Sequence, residues 1–344
     1  MTESRLGLTR GDGSADANFG LFLKTFSGEV LAAFSERNVM MPLHNVRTIQ
    51  SGKSAQFPLI STASAGYHAP GDEILGTAID HSERVINIDN LLVASAFIAN
   101  IDEAMNHYDV RATYSRELGF ALANHADKAI IRAGLAGALD AEDPLGKTGG
   151  VNLATGGTGD GVIDKILEAA QHMDEQNIPQ GDRYCVLKPD LFYKVLQKAG
   201  TSNIASAIFN RDFGNGGSLQ QGGSQILTIG GVQIMMSNHI PTANEDDEAS
   251  GTVDTTLGST SVRNAPFNDA GVSNADTNEG YSGMNFTNYE GLVFHRSGIG
   301  TVKLLDLSIE SDYLVQNQGT LMVAKYAMGH NYLRPAACVG LKES

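Results

Sequence analysis

The sequence predicts an α+β fold, and three observations carry that prediction. Residues 46–98 read as two long extended limbs around a turn, with Ile86 and Ile88 alternating with Asn87 and Asp89. A helical stretch of nearly thirty residues, "DVRATYSRELGFALANHADKAIIRAGLAGAL", follows from Asp109. After a long polar insertion the chain returns to strand patterning in "GLVFHRSGIGTVKLLDLSIE" and "VAKYAMGHNYLRPAACVGL".

Residues 1–20 read as an N-terminal arm. They are small and polar, and "LFLKTFSGEVLAAFSER" then spaces Leu23, Phe26, Val30 and Phe34 by three and four, the stripe of an amphipathic helix. The polar face carries Glu29 and Glu36 without a Lys/Arg surplus, so a protein partner suits this helix better than a membrane. Within 46–98 the outgoing limb is "VRTIQSGKSAQFPL", the return is "HSERVINIDNLLVASAFI", and Pro70-Gly71-Asp72 supplies the turn. A two-stranded hairpin buries little apolar surface within itself and needs neighbours.

The long helix has Asp109 as its expected N-cap and places Val110, Tyr114, Leu118, Ala121, His125 and Ile130 along one side. It exceeds the mean globular helix of about a dozen residues and reads as a spine. Asp160 is the expected cap of a second helix, "VIDKILEAAQHMDEQ". A strand and a Pro-Asp helix start follow in "DRYCVLKPDLFYKVLQKAG", the helix closing at Gly200. Two short strands, "SQILTIGG" and "VQIMMSNHI", meet at Gly230-Gly231. Residues 242–288 are mostly Asn, Asp, Ser, Thr and Gly, so they add little core and read as a surface insertion. Residues 291–344 return to strands, Val302, Leu304 and Asp306 alternating with Lys303, Leu305 and Leu307.

With 344 residues the chain has room for about two packed units. A net charge of -15 and the lack of any basic run argue against a nucleic-acid binder, which neutralises phosphates with clustered Lys and Arg. The two cysteines, Cys185 and Cys338, form no disulfide framework or thiolate metal site and suit a reduced cytoplasm; there is no secretory h-region and no bilayer-spanning apolar run.

Two fragments hint at nucleotide chemistry, Gly52-Lys53-Ser54 and Gly146-Lys147-Thr148. A phosphate loop needs a further glycine five residues upstream, where Arg47 and Ala141 stand, and a helix directly after. Asp102, Glu103, His107 and Asp109 form the best metal cluster, though acidic residues before a helix more often serve as caps and dipole partners. No G-x-S-x-G elbow is present, and "GGTGDG" lacks dinucleotide-loop spacing. The residue pattern thus carries no catalytic constellation, and no cofactor or metal is expected. An enzyme using the acidic cluster or a degenerate nucleotide loop remains the rival class.

Five segments, "LFLKTFSGEVLAAF", "VRTIQSGKSAQFP", "IDEAMNHYDVR", "HRSGIGTVKLLDL" and "AKYAMGH..LRP", closely resemble the major capsid protein of T-seven-like short-tailed bacteriophages, in the family's order and across most of the chain outside 242–288. The resemblance implies a Hong Kong 97-type capsid fold. Residues 1–45 would be the arm, 46–98 the extended loop, 99–155 the peripheral domain with its spine helix, 156–290 the axial domain, and 291–344 the return to the peripheral domain. It implies a non-enzymatic subunit that self-assembles as hexamers and pentamers into an icosahedral shell of triangulation number seven around double-stranded DNA. It further implies a scaffolding protein and a portal protein as partners, no membrane, assembly in the bacterial cytoplasm and residence in the virion. Intersubunit contacts are expected at Phe26, Val30 and Phe34 of the arm, and at Arg47, Lys53, Phe57, Glu83 and Arg84 of the loop. Some relatives of this fold cross-link a loop lysine to an asparagine; this group is not expected to do so.

Overall fold

The computed structural model describes residues 38–61, 79–88, 91–99, 111–142, 148–198, 227–241 and 286–343, with residues 65, 67, 68, 73 and 101. The arm helix with Phe26, Val30 and Phe34, the Asp102/Glu103/His107/Asp109 cluster, Lys147, Gly200 and nearly all of the 242–288 insertion lie outside them.

The two limbs of 46–98 do not run as one hairpin. The outgoing limb bends at Ser51 and Gly52 into β1 (Asn45–Thr48) and β2 (Ser54–Ile60), and the returning limb divides into β3 (His81–Asn87) and β4 (Leu92–Ala99). Only β2 and β3 pair with each other, antiparallel, from Ser54↔Asn87 to Ile60↔His81. The other two strands join a sheet made by the end of the chain. Alternation marks a residue as extended and gives its face, but it does not name the partner strand.

The stretch read as one run near residue 300 is likewise two strands in two sheets. β9 (Tyr289–His295) ends where the His295 Nδ1 accepts the Ser297 N–H at 3.2 Å in a 3-10 turn, and β10 (Ile299–Leu314) begins beyond it. β10 and β11 (Gly319–Tyr332) form the long centre of a four-stranded sheet ordered β1-β10-β11-β4, in which β1 runs parallel to β10 and the other pairs are antiparallel. A mixed six-stranded sheet combines β5 (Val151–Ala154), β6 (Arg183–Leu187), β7 (Leu227–Ile229), β8 (Val232–Met236), β9 and β12 (Cys338–Lys342), in the order β5-β12-β9-β6-β8-β7. β7 and β8 are joined by Gly230 and Gly231 at φ 58° and 81°, left-handed values that favour glycine in a two-residue turn.

α1 (Arg111–Leu139) spans both cores. Its first half lays Leu122 and Ala126 on Ile98, Met322, Ala324, Tyr326 and Met328 of the four-stranded sheet. Past Ile130 it is enclosed, with Ile130, Ile131, Leu135 and Ala138 among Leu292, Phe294, Ile299 and Tyr332. The buried line runs through Ser115, Gly119, Leu122, Ala123, Ala126 and Ile130, and Ala121, expected on it, is exposed. The offset arises because alanine, glycine and serine dominate this face and carry little hydrophobic signal. α2 (Gly159–Glu175) is capped by Thr158, whose Oγ1 accepts the Gly161 N–H at 3.2 Å; Asp160, the expected cap, occupies the first turn, where its charge suits the helix dipole. α2 and α3 (Pro189–Lys198) cover the six-stranded sheet, with Val162, Ile166, Leu191 and Val195 against Leu187 and Ile234.

Candidate functional site

The β2–β3 hairpin stands on the body by one of its faces. Residues opposed across an antiparallel pair share a face, so Ala55/Ile86 and Phe57/Arg84 point one way while Gln56/Val85 and Pro58/Glu83 point the other. Ala55, Ile86 and Ile88 are buried against Val302, Ala327 and Leu333 of the four-stranded sheet and the segment after it, with Phe57 at the margin. Arg84 leaves this face toward the end of α1. Its Nη2 lies 3.2 Å from Asp140 Oδ2, and its guanidinium sits 4.1 Å above the Tyr332 ring. The Tyr332 hydroxyl donates to the same carboxylate oxygen at 2.8 Å. Burial, partly offset by the Arg84 charge, pushes the Tyr332 phenol above its ordinary pKa, so it stays a donor.

The loop residues expected at subunit contacts therefore separate. Arg84 is engaged within its own chain. Arg47 donates from Nη1 to the Gln56 carbonyl at 3.0 Å and lies 5.7 Å from the Phe57 ring, so these two also cover each other. Glu83 faces outward and accepts from Gln56 Nε2 at 3.3 Å. The exposed Lys53 side chain meets no ion-pair partner among the described residues, and its carbonyl accepts the Ile88 N–H at 2.8 Å. Replacing Arg84 with Leu should cost about 1 kcal/mol, since the pair is partly exposed and the cation–π contact adds comparably. Faster hydrogen exchange at the β3 amides would show it; unchanged exchange would mean the apolar base alone holds the hairpin.

A second organised spot lies where the chain enters the body. Asp127, fully buried in the middle of α1, accepts the Val39 N–H at 3.0 Å and the Met40 N–H at 3.1 Å on its two oxygens. Burial raises its carboxyl to a pKa of about 6 against the pull of those two hydrogen bonds. The Met40 carbonyl accepts from His44 Nδ1 at 2.8 Å, so His44 Nε2 must accept from the Thr301 hydroxyl at 2.6 Å, and that hydroxyl in turn accepts from His330 Nδ1 at 2.8 Å. Every member is satisfied with both imidazoles neutral. Burial drives His44 down to about 4 and His330 to about 3.

Among the described residues, catalytic chemistry finds no comparable arrangement. Gly52-Lys53-Ser54 enters the strand β2, and Thr148 lies just before the strand β5, so neither trio has the helix N-terminus that a phosphate requires. Among the described residues no group of three His, Cys, Asp or Glu is placed to hold a metal ion, and no helix is long and apolar enough to cross a membrane. Burial raises both thiols, Cys338 to about 12, which suits packing and not nucleophilic attack.

The chain matches the Gp10A-like major capsid protein family over residues 56–342. It is 35% identical to the major capsid protein of Enterobacteria phage T3, covering 97% of this chain and 94% of the relative. The chain belongs to the Gp10A-like major capsid protein family. The major capsid protein of Escherichia phage T7 is 33% identical over 97% of this chain and 95% of its own. The solved capsid of the cyanophage P-SCSP1u superposes with a TM-score of 0.68 at 36% identity, covering 99% of this chain and 98% of that one. The fold is the Hong Kong 97-type capsid fold, and the enzyme alternative falls, since the family is structural. In this capsid family member, the residues that hold the extended parts to the body lie outside every sequence motif. Asp127, Asp140, His44 and Tyr332 carry no motif; the one available signal was an aspartate in the middle of a helix, where neither cap nor dipole explains it.

Proposed function

We propose that the chain is the shell-forming subunit of a T7-like phage head, associating as hexamers and pentamers into an icosahedral shell of triangulation number seven that encloses double-stranded DNA. The single observation that carries this reading is the 35% identity to a phage major capsid protein along nearly the full length of both chains. Scaffolding protein during assembly, portal protein at one vertex and the packaged genome are the partners, and the particle forms in the bacterial cytoplasm and persists as the virion. The proposed division is arm 1–45, extended loop 46–98, peripheral domain 99–155 and 291–344, and axial domain 156–290 with the 242–288 insertion. A net charge of -15 per subunit repels a polyanion and leaves genome neutralisation to counterions.

Neighbouring copies meet through the arm's Phe26, Val30 and Phe34 and through the loop's outward groups, Lys53 and Glu83, with Arg47 and Phe57 at the edge. Arg84 is set aside from this list, because its guanidinium is held by Asp140 and Tyr332. The test is assembly of Phe26→Ser/Phe34→Ser. Each aromatic removes roughly 2–3 kcal/mol per contact, repeated through the lattice. The double variant should therefore fold but form no closed particles in electron micrographs, where the unaltered chain forms shells. Closed shells from the variant would remove the arm from the contact; failure of the unaltered chain to yield any particle would remove the shell reading itself.

A further inference from the structure

Asn38 to His44 is the short connection through which everything N-terminal to it joins the described body, and three side chains hold its backbone, one from α1 and two from the connection itself. Asp127 in mid-α1 accepts two successive amides, Val39 and Met40; Asn38 Oδ1 accepts the Met41 N–H at 2.8 Å; and His44, itself bonded to Thr301 of β10, donates to the Met40 carbonyl. Met40 is fully buried and Leu43 nearly so, both in the cluster between α1 and the six-stranded sheet. Met41 packs against that cluster and against the core of the four-stranded sheet.

Packing alone does not ask for this arrangement. A carboxylate placed in a dry core costs desolvation that an apolar side chain of similar size would avoid, and two hydrogen bonds only offset part of it. What a forked acceptor adds is direction: two oxygens on two consecutive N–H groups fix both peptide planes, and with them the line along which the chain preceding Asn38 departs. A residue on the rigid middle of a long helix is a firm base for such a fix.

We propose that Asp127 is the positioning residue of the N-terminal arm: its carboxylate clamps the Val39 and Met40 amides, aiming residues 1–37 toward a second copy of this chain. This rests on the shell reading and adds to it the group that sets the arm's exit direction. Asp127→Asn keeps the size but replaces one acceptor oxygen with an N–H donor, so one of the two amides loses its partner. In the unassembled subunit, hydrogen exchange at Val39 or Met40 should speed up roughly tenfold, the loss expected for a hydrogen bond to a charged group, while amides of the six-stranded sheet stay within about twofold. Closed particles should fall about tenfold in yield, with open or irregular assemblies in their place, because a misaimed contact fails to close a symmetric shell.

A stability control separates aim from strength. Val195→Ala, in the core under α3 and far from the connection, should lower the melting temperature at least as much and still give closed particles. If Val195→Ala loses particles in proportion to its stability, the defect follows strength and the proposal is overturned. Particles of normal size and yield from Asp127→Asn overturn it as well, as do Val39 and Met40 amides that remain protected. Should Asp127→Asn not fold, Asn38→Ala loosens the same turn at Met41 from a partly exposed position and should still cut the yield about threefold; normal yield there refutes the clamp. If the unaltered chain forms no particles the shell reading fails, whereas the unaltered chain and both connection variants closing alike removes only the clamp.

Discussion

Gly329→Ala is expected to displace the β2–β3 hairpin and to cost about 3 kcal/mol, the upper end for forcing a methyl group into a packed site. A Cβ at this position would stand 2.0 Å from the Asn87 carbonyl oxygen, 2.9 Å from the Asn87 carbonyl carbon and 3.0 Å from Ile88 Cα. All three are backbone atoms, so no rotamer change relieves the contact. Lifting the hairpin off altogether would expose Ile86 and Ile88, worth roughly 2–3 kcal/mol each. Bending is the cheaper response: the Asn87–Ile88 backbone should move by roughly 1 Å, the size of the overlap, and tilt the strands that spring from it.

The contrast that makes this testable is Gly181, where an added Cβ meets nothing within 4 Å. Gly181→Ala should stay within about 0.5 kcal/mol of the parent by denaturant unfolding, with Gly329→Ala lower by several times that amount. Hydrogen exchange should place the loss at Ile86 and Ile88. Equal stabilities for the two variants would show that the hairpin base is loosely seated, against the geometry described above. Under the shell proposal the tilted hairpin also misses its neighbour, so Gly329→Ala should assemble poorly even where it folds.

What the sequence made legible were faces and element types. Ile86 and Ile88 alternate with polar residues and both are buried; the Pro-Asp start of α3 and the Gly230-Gly231 turn stand where their chemistry puts them. Sheet membership stayed hidden. β1 pairs with β10 across some 250 residues, and β4 with β11 rather than as the continuation of β3, because hydrogen-bonding partners are fixed by the packed whole and leave no local periodicity. The family resemblance supplied the architecture that local pattern could not. The groups fixing the hairpin and the arm connection were illegible for a related reason: Arg84 beside Glu83 looks like one more exposed charge until strand register sends them to opposite faces. Asp127 looks like one more polar helix residue until Val39 and Met40 come down on it.

The same connection should show two opposed pH dependences that single substitutions uncover. His44 holds a folded pKa of about 4 against an ordinary 6.5, so as pH falls through 6.5 the unfolded chain takes a proton that the folded chain refuses, and stability drops until about pH 4. Asp127 does the reverse. Its folded pKa of about 6 lies above the ordinary 3.8, so as pH falls through 6 the folded chain takes the proton first, and stability rises until about pH 3.8. Each displacement is worth about 3 kcal/mol once its window has been crossed. Both groups hold the backbone of Met40, one at its carbonyl and one at its N–H, and in the unaltered chain their effects largely cancel between pH 6.5 and 4. His330, which burial lowers in the same direction as His44, is present in every protein compared. His44→Gln removes the acid-destabilising partner, so its deficit relative to the parent should shrink by about 3 kcal/mol between pH 7 and pH 4. Asp127→Asn removes the acid-stabilising partner, and its deficit should grow by a similar amount over the same range. Urea unfolding of unassembled subunits at both pH values measures the two slopes directly. Parallel pH profiles for all three proteins would mean that neither group is held in the protonation state its burial demands, and the neutral His44–Thr301–His330 chain would have to be abandoned.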